Sequence, residues 1–420
     1  MKYLSFFALL VAMASANGQV IKNNQIVLGT TDSVNSKILN EKRKIWVHVP
    51  AGDPNGIFVQ QRYPVVYLLD GDDHFASVAG MIQKLSGVTV CPDMIVVGIL
   101  NTNRTRDLTP TAIPDGPADK SGGPQKMAGG GGEKFAAFIE KELMLHIDSL
   151  YPTAPYKILI GHSLGGLTAM NFVVNHTGLF NAYIVIDPSM WWDKKNLLNQ
   201  AREALHQKNF AGKSLYLGIA NTMQPGMDTL HVRKDTSGGT EHIRAILTLT
   251  DILKSNPGNG LSWSYRYYDE DNHGSVPLIT EYDALHFLFS YYQLPRDMQS
   301  KLFDKNAKID VAAAISGHYD DISKHFGYKV LPPEGMLNQL GYGFLQNGMP
   351  DRSFAAFDLN IKTYPDSFNV YDSMGDYYAA QKDRAKTIEF YTKALKLKEF
   401  PDTRDKLNKL LAEKPEPVKK

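Results

Sequence analysis

One cysteine, Cys91, occurs in 420 residues. No intramolecular disulfide can form, so the fold depends on its packing alone. An excess of one charge is also missing: 45 Lys and Arg against 44 Asp and Glu leave a net charge of +1. Nothing electrostatic therefore points to a nucleic acid or an anionic membrane as partner. No apolar run reaches the roughly 20 residues that cross a bilayer. His-Glu-x-x-His pairs and paired cysteines are absent as well, which leaves no zinc signature. The run Asp70-Gly71-Asp72-Asp73-His74 resembles a cation loop, but Met81 stands where a calcium loop carries its glutamate. The glycines 129–132 lead into Glu133-Lys134-Phe135, not Gly-Lys-Ser/Thr, so they make a flexible loop and no phosphate cradle. No metal and no cofactor is expected.

What is present is an ordinary globular composition, 43% hydrophobic and 21% charged, over a length that suits two domains. Lys2, an apolar stretch over 4–11 and Ala14-Ser15-Ala16 read as a cleaved secretory leader over 1–18. They predict an exported chain, periplasmic or secreted. Residues 44–49 alternate like a half-buried strand. Nearly unbroken apolar runs over 63–69, 94–100, 156–160, 182–186 and 214–220 suit strands buried on both faces, and 261–268 is one further strand. Helical periodicity covers 133–150, 164–175, 240–253 and 277–292. Strands alternating with helices predict a mostly parallel sheet with helices on both faces.

Past about residue 330 only helical patterns remain. Leu340-Gly341-Tyr342 and Met374-Gly375-Asp376 match at an offset of 374 − 340 = 34 residues, which also pairs Phe344 with Tyr378 and Phe357 with Tyr391. That period is the one of tetratricopeptide-like helix pairs. A groove between such helices suits a peptide or protein partner, while Lys386, Lys393, Lys396 and Lys398 make an exposed basic face.

The chemistry concentrates at Gly161-His162-Ser163-Leu164-Gly165, where an apolar strand ends and a helix starts. This is the Gly-x-Ser-x-Gly pattern of a nucleophile elbow, which lifts a serine hydroxyl above the carboxyl end of a sheet. A serine hydroxyl needs a base for its proton and donors for the oxyanion that forms. In this arrangement the order along the chain is Ser, acid, His. His273, directly after the last strand, is the expected base; His146, His176, His206 and His242 read as surface or core residues. The acid is expected after 214–220, but Asn221 stands there. Asp228 is the first carboxylate that follows, with Asp235 and Glu241 as further candidates and a Ser-His dyad as the other solution. The amides of Leu164 and Asp72 are the expected oxyanion donors. Trp191, Trp192 and Arg104 lie on loops at the same end of the sheet and are expected at the substrate.

Tyr67-Leu-Leu-Asp-Gly71, Arg104-x-Arg106-Asp107-Leu, Gly-His-Ser163-Leu-Gly-Gly, Pro188-Ser-x-Trp191-Trp192 and His273-Gly-Ser resemble the family described as Putative esterase. That family includes enterochelin, feruloyl and acetylxylan esterases and S-formylglutathione hydrolases, and the Trp-Trp motif is most similar to the siderophore-esterase branch. The resemblance covers about 35–295. It implies an α/β-hydrolase fold, Ser163 as nucleophile, His273 as base and an oxyanion contribution near Asp72. The expected organisation is a leader over 1–18, an α/β-hydrolase esterase domain over 19–300, a helical linker over 301–330, a small all-α tetratricopeptide-like domain over 331–412 and a disordered tail over 413–420. The expected function is an exported serine carboxylic-ester hydrolase acting on a small-molecule or glycan ester, such as a siderophore or carbohydrate ester. The competing reading is a catalytically silent hydrolase-like protein that recruits a partner through its repeats.

Overall fold

The computed structural model describes residues 21–22, 24–115 and 126–413. The leader read over 1–18 and the tail beyond residue 413 lie outside the described residues. The chain divides into two units. One takes the chain up to Pro50 together with Arg62–Gln293, and the other takes Ala51–Gln61 together with the chain from Leu294 onward. This boundary differs from the expected one at 300 with a linker over 301–330: the helices on both sides of residue 310 group with the repeats, as does a short excursion between two strands of the sheet.

The first unit is built on eight strands: β1 (Thr30–Ser36), β2 (Glu41–His48), β3 (Tyr63–Leu68), β4 (Ile95–Ile99), β5 (Thr153–His162), β6 (Ala182–Ile186), β7 (Ser214–Ala220) and β8 (Ser262–Tyr268). Their order is β1-β2-β4-β3-β5-β6-β7-β8. β1 and β2 pair antiparallel and β2 meets β4 antiparallel, while β4 and β3 through β8 run parallel. Every residue of β3, β4 and β6 is buried, which is why these strands read as continuous apolar runs. Strand β2, second from the edge, alternates buried and open positions, as a strand with one wet face must.

Helices α1 (Gly71–Ser86), α2 (Gly132–Phe138), α3 (Met144–Leu150), α4 (Leu164–Asn175), α5 (Trp192–Gln207), α6 (Glu241–Lys254) and α7 (Val276–Leu288) flank this sheet. α2 runs into α3 through a π-helical turn, Ile139–Leu143. α7 meets β7 at Gly218, where a Cβ would lie 2.1 Å from Thr280 Oγ1; no larger residue fits that crossing. Arg43 of β2 is fully buried. Its guanidinium bonds Asp107, Glu41 and the carbonyl of Leu100, while Arg106 reaches Asp107 and Glu41 in turn. The network ties the loop after β4 to β2 and gives the buried guanidinium two carboxylate partners.

The second unit contains α8 (Arg296–Phe303), α9 (Val311–Phe326), α10 (Glu334–Gln346), α11 (Pro350–Thr363), α12 (Phe368–Ala380), α13 (Arg384–Leu397) and α14 (Pro401–Ala412). The repeat seen in the sequence recurs in the packing. A Cβ on Gly341 would lie 2.3 Å from the Phe357 ring, and one on Gly375 would lie 2.4 Å from the Tyr391 ring. Glycine is needed at both places because an aromatic side chain of the next helix fills the space. The excursion 51–61 belongs to this unit: Glu334, itself buried, accepts the Val59 amide at 2.8 Å, and Lys398 Nζ donates to the Gly56 carbonyl at 2.8 Å. Lys386, Lys393 and Lys398, read as a plain exposed face, lie over the rings of Tyr378, Tyr371 and Phe368.

One buried group in the first unit opposes the rest. Glu281 on α7 is 1% exposed and neither carboxyl oxygen has a partner among the described residues. Burial pushes its carboxyl up from 4.5 to about 8. The folded state therefore holds a proton that the unfolded chain has released, and stability falls as pH rises from about 4.5 to about 8. Glu281→Gln cannot ionise. The stability difference between this variant and the parent is expected to grow by about 3 kcal/mol from pH 4.5 to pH 7, read as diverging melting temperatures across a pH series.

Candidate active site

β5 ends at His162, and Ser163 follows with φ 59° and ψ −115° before α4 begins. A non-glycine residue in that region is strained and persists only where the surroundings hold it. Here the held geometry is that of the predicted elbow. A Cβ on Gly161 would lie 2.2 Å from the Gly165 carbonyl oxygen, and one on Gly166 would lie 2.9 Å from that of Ile186. The Ser163 amide donates to the Ile186 carbonyl at 3.0 Å, and its Oγ lies 3.4 Å from Ser189 Oγ.

The carboxylate that meets His273 is Asp187, the first residue after β6. His273 Nδ1 lies 2.6 Å from Asp187 Oδ2, and the Ala220 amide donates to Oδ1 at 3.0 Å. A second histidine, His242 at the start of α6, places Nε2 2.8 Å from the same Oδ2. Asp187 is fully buried, whereas the His242 and His273 side chains are 20% and 42% exposed. Burial alone would raise this carboxyl, but the hydrogen bonds from the two rings outweigh it and bring it down to about 2. An ionised carboxylate only accepts, so both rings donate to it. In neutral His273 the lone pair is then on Nε2, the ring atom turned away from the acid.

Asp228 does not take the place expected for it. Its carboxylate holds the Leu230 and His231 amides and the His231 ring, and it is 57% exposed. Asp235 bonds the Ser237 and Thr240 hydroxyls, and Glu241 pairs with Lys195. Asn221 has a different task from that of an acid. Its Nδ2 donates to the Asp269 carbonyl and its own amide to that of Asp271, which anchors the loop that carries His273. The carboxylate that meets His273 follows β6, one strand earlier than the position expected for the acid. The signal was Asp187 itself, an acidic residue ending the buried run 182–186.

The remaining expected residues divide. Leu164 is the first residue of α4 and Asp72 the second of α1, positions whose amides have no intrahelical acceptor. Both are suited to hold an oxyanion. Asp70, in the left-handed region at φ 52°, turns the chain into α1. Arg104, expected at the substrate, is instead its partner: Nε and Nη2 reach the Asp70 carboxylate at 2.7 and 2.9 Å. A two-pronged ion pair to a buried carboxylate makes it a support of this turn. Trp192 is likewise structural, buried with its indole N–H on the Thr111 carbonyl at 2.9 Å, whereas Trp191 is only half-buried. Asp193, Lys194 and Lys195 then form a left-handed turn, with φ of 47°, 53° and 67°, three consecutive non-glycine residues in a costly region.

His162, next to the serine, packs against His273 with the rings tilted by 42° and their centres 4.5 Å apart, and lies edge-on to His74 at 5.6 Å. Burial first, then the neighbouring His273 and His74, lowers its ring to about 4, so it stays neutral near pH 7. Asp187, His242 and His273 are the group among the described residues whose ligand atoms lie within 4.8 Å of one another. Ligands about 2.0 Å from one zinc ion stand roughly 3.3 Å apart, so contacts of 2.6 and 2.8 Å are those of hydrogen bonds.

A serine on a strand-to-helix elbow, a late histidine and a buried carboxylate, carried on a sheet of this order, make the first unit an α/β hydrolase. The sequence model of the family described as Putative esterase matches residues 36–233. The crystal structure of an IroE-like serine hydrolase from Shewanella oneidensis is 33% identical and superposes with a TM-score of 0.63. That match covers 79% of this chain and 98% of the other. The chain belongs to this esterase family. Among curated relatives, the ferri-bacillibactin esterase BesA of Bacillus subtilis is 31% identical over 153 residues, 33% of this chain and 52% of its own. The siderophore enterobactin esterase of Emericella nidulans is 28% identical over 153 residues, 33% of this chain and 50% of its own. The chain spans about half the length of the curated relatives it matches.

Asp187→Asn is expected to lower ester hydrolysis about 10³–10⁴-fold, because an amide cannot hold His273 in the same tautomer. Asp228→Asn is expected to stay within about twofold of the parent. Initial rates on a short p-nitrophenyl ester compare the two directly.

Proposed function

We propose that this protein hydrolyses carboxylic esters through an acyl-enzyme on Ser163, and that its substrates are siderophore esters. The observation that carries the reading is the 2.6 Å contact between His273 Nδ1 and the buried Asp187 carboxylate, on a ring that packs against the elbow histidine. His273 Nε2 takes the Ser163 proton as Oγ attacks the ester carbonyl. The Leu164 and Asp72 amides hold the oxyanion. The imidazolium, stabilised by Asp187, gives its proton to the leaving alcohol. A water then enters, His273 takes its proton, and attack on the acyl-enzyme releases the acid and frees Ser163. Catalytic hydrogen bonds of this kind tighten when substrate binds, which accounts for a Ser163 hydroxyl that here rests near Ser189.

The substrate class rests on the siderophore esterases among the relatives and on the half-buried Trp191 beside the elbow, an aromatic wall of the sort ligand pockets use. Export rests on the leader-like segment 1–18 alone. No helix among the described residues is long and apolar enough to cross a membrane. The helical unit, with its 34-residue repeat, is proposed as a tetratricopeptide-like module that binds a peptide or protein.

A fluorophosphonate probe followed by mass spectrometry is expected to label Ser163 in the folded parent and not in Ser163→Ala. A panel of siderophore lactones, feruloyl sugars and acetylated glycans is expected to show turnover on the lactones, lost in Ser163→Ala. An unlabelled Ser163 in folded protein would sink the mechanism. Turnover confined to the glycans would sink the substrate class alone.

A further inference from the structure

His242 reads in the sequence as a surface or core residue, yet it donates to the carboxylate oxygen that serves His273. We propose that His242 is a positioning residue for the reaction: its Nε2–H locks the Asp187 carboxylate toward His273 and shares the charge that His273 feels. The inference rests on the esterase reading above.

The argument is one of counting acceptor sites. A carboxylate offers about four lone-pair positions. At Asp187 three donors use them: the Ala220 amide on Oδ1, and both imidazoles on Oδ2. Ala220 alone fixes one oxygen and leaves the group free to turn about it. His273 holds the other oxygen but must move its own proton load during the reaction, and the second ring supplies that oxygen with a donor that stays put. It arrives from α6, an element that touches neither the elbow nor the His273 loop in sequence, so the acid is braced from a third direction. The ring centres of His242 and His273 are 5.2 Å apart and nearly perpendicular. This crossed arrangement lets two N–H groups converge on one oxygen without a clash.

Sharing has an electrostatic consequence. A carboxylate that already accepts from His242 stabilises the imidazolium on His273 less than an unshared one would. The groups on the elements around His242 are accounted for. Glu241, beside it on α6, pairs with Lys195 of α5; Arg244, two residues on, donates to the Ser237 carbonyl; Arg233 pairs with Asp251; Asp235 is held by the Ser237 and Thr240 hydroxyls; and His162, against the His273 ring, is neutral near pH 7. Asp187 and His273 are the two that meet the ring directly. Removing His242 therefore has two effects. The reaction slows because the carboxylate loses its brace, and His273 protonates at higher pH because Asp187 serves it alone.

The test compares His242→Leu, which keeps bulk without a donor, with His242→Gln, which restores an N–H without a titrating ring. His242→Phe stands in where the leucine variant does not fold. The rate of fluorophosphonate labelling at Ser163 is followed against pH. The leucine variant is expected to label about tenfold more slowly at pH 7, the size of one lost hydrogen bond to a charged group. Its acid limb is expected to move up by about half a pH unit. Glutamine is expected to recover the rate to within about threefold of the parent. Labelling of the leucine variant at the parent rate overturns the proposal, as does equal slowing of both variants with an unmoved limb. Failure of the parent to label overturns the esterase reading instead. In that case the His273 ring titration, followed by NMR in the Ser163→Ala background, still decides the proposal: an unchanged midpoint on adding His242→Leu overturns it.

Discussion

The carboxyl ends of four neighbouring strands are stitched together by backbone hydrogen bonds, and the site depends on that seam. The Ser163 amide donates to Ile186, the Asp187 amide to Gly218, and the Asn221 amide to Asp271. Each bond joins the residue that leaves one strand to the strand or loop beside it. Ser163, Asp187 and His273 thus belong to three loops at the same end of neighbouring parallel strands. The seam requires glycine at its tightest point, where the first turn of α4 crosses β5 at Gly161. Any Cβ there pushes the helix off the strand and carries the strained serine with it.

Two sets of ion pairs flank this seam, each built on a buried carboxylate. Arg104 and the buried Asp70 brace the turn into α1. Beside it, the Arg43–Asp107–Arg106–Glu41 network fixes the loop that presents Arg104. Buried ion pairs of this kind contribute little net stability but penalise heavily any structure that separates them. Their role here is to hold one loop in one place. Asp187 follows the same logic, since a fully buried carboxylate is tolerable only with its acceptor positions filled.

The helical unit obeys a simpler rule. Gly341 and Gly375, 34 residues apart, each admit an aromatic ring from the following helix. A repeated sequence position thereby becomes a repeated contact. The excursion 51–61 is held there by a buried acceptor, Glu334. That assignment could not be read locally, because 51–61 carries no periodicity of its own.

The elements and the elbow are legible in local residue order. Buried parallel strands are apolar throughout, and the pattern Gly161-x-Ser163-x-Gly165 is imposed by the turn it makes, so both are written in local residue order. The late position of His273 was legible for the same reason. Which carboxylate meets that histidine was not. Asp187, Asp228 and Asp235 all follow strands of the right kind, and only the pairing of β6 between β5 and β7 brings the first of them to His273. The same holds for Arg104, drawn inward by Asp70, and for His242, which lies 55 positions from the carboxylate it donates to. A hydrogen bond forms between groups that the fold brings within about 3 Å, and strand order alone sets which groups those are.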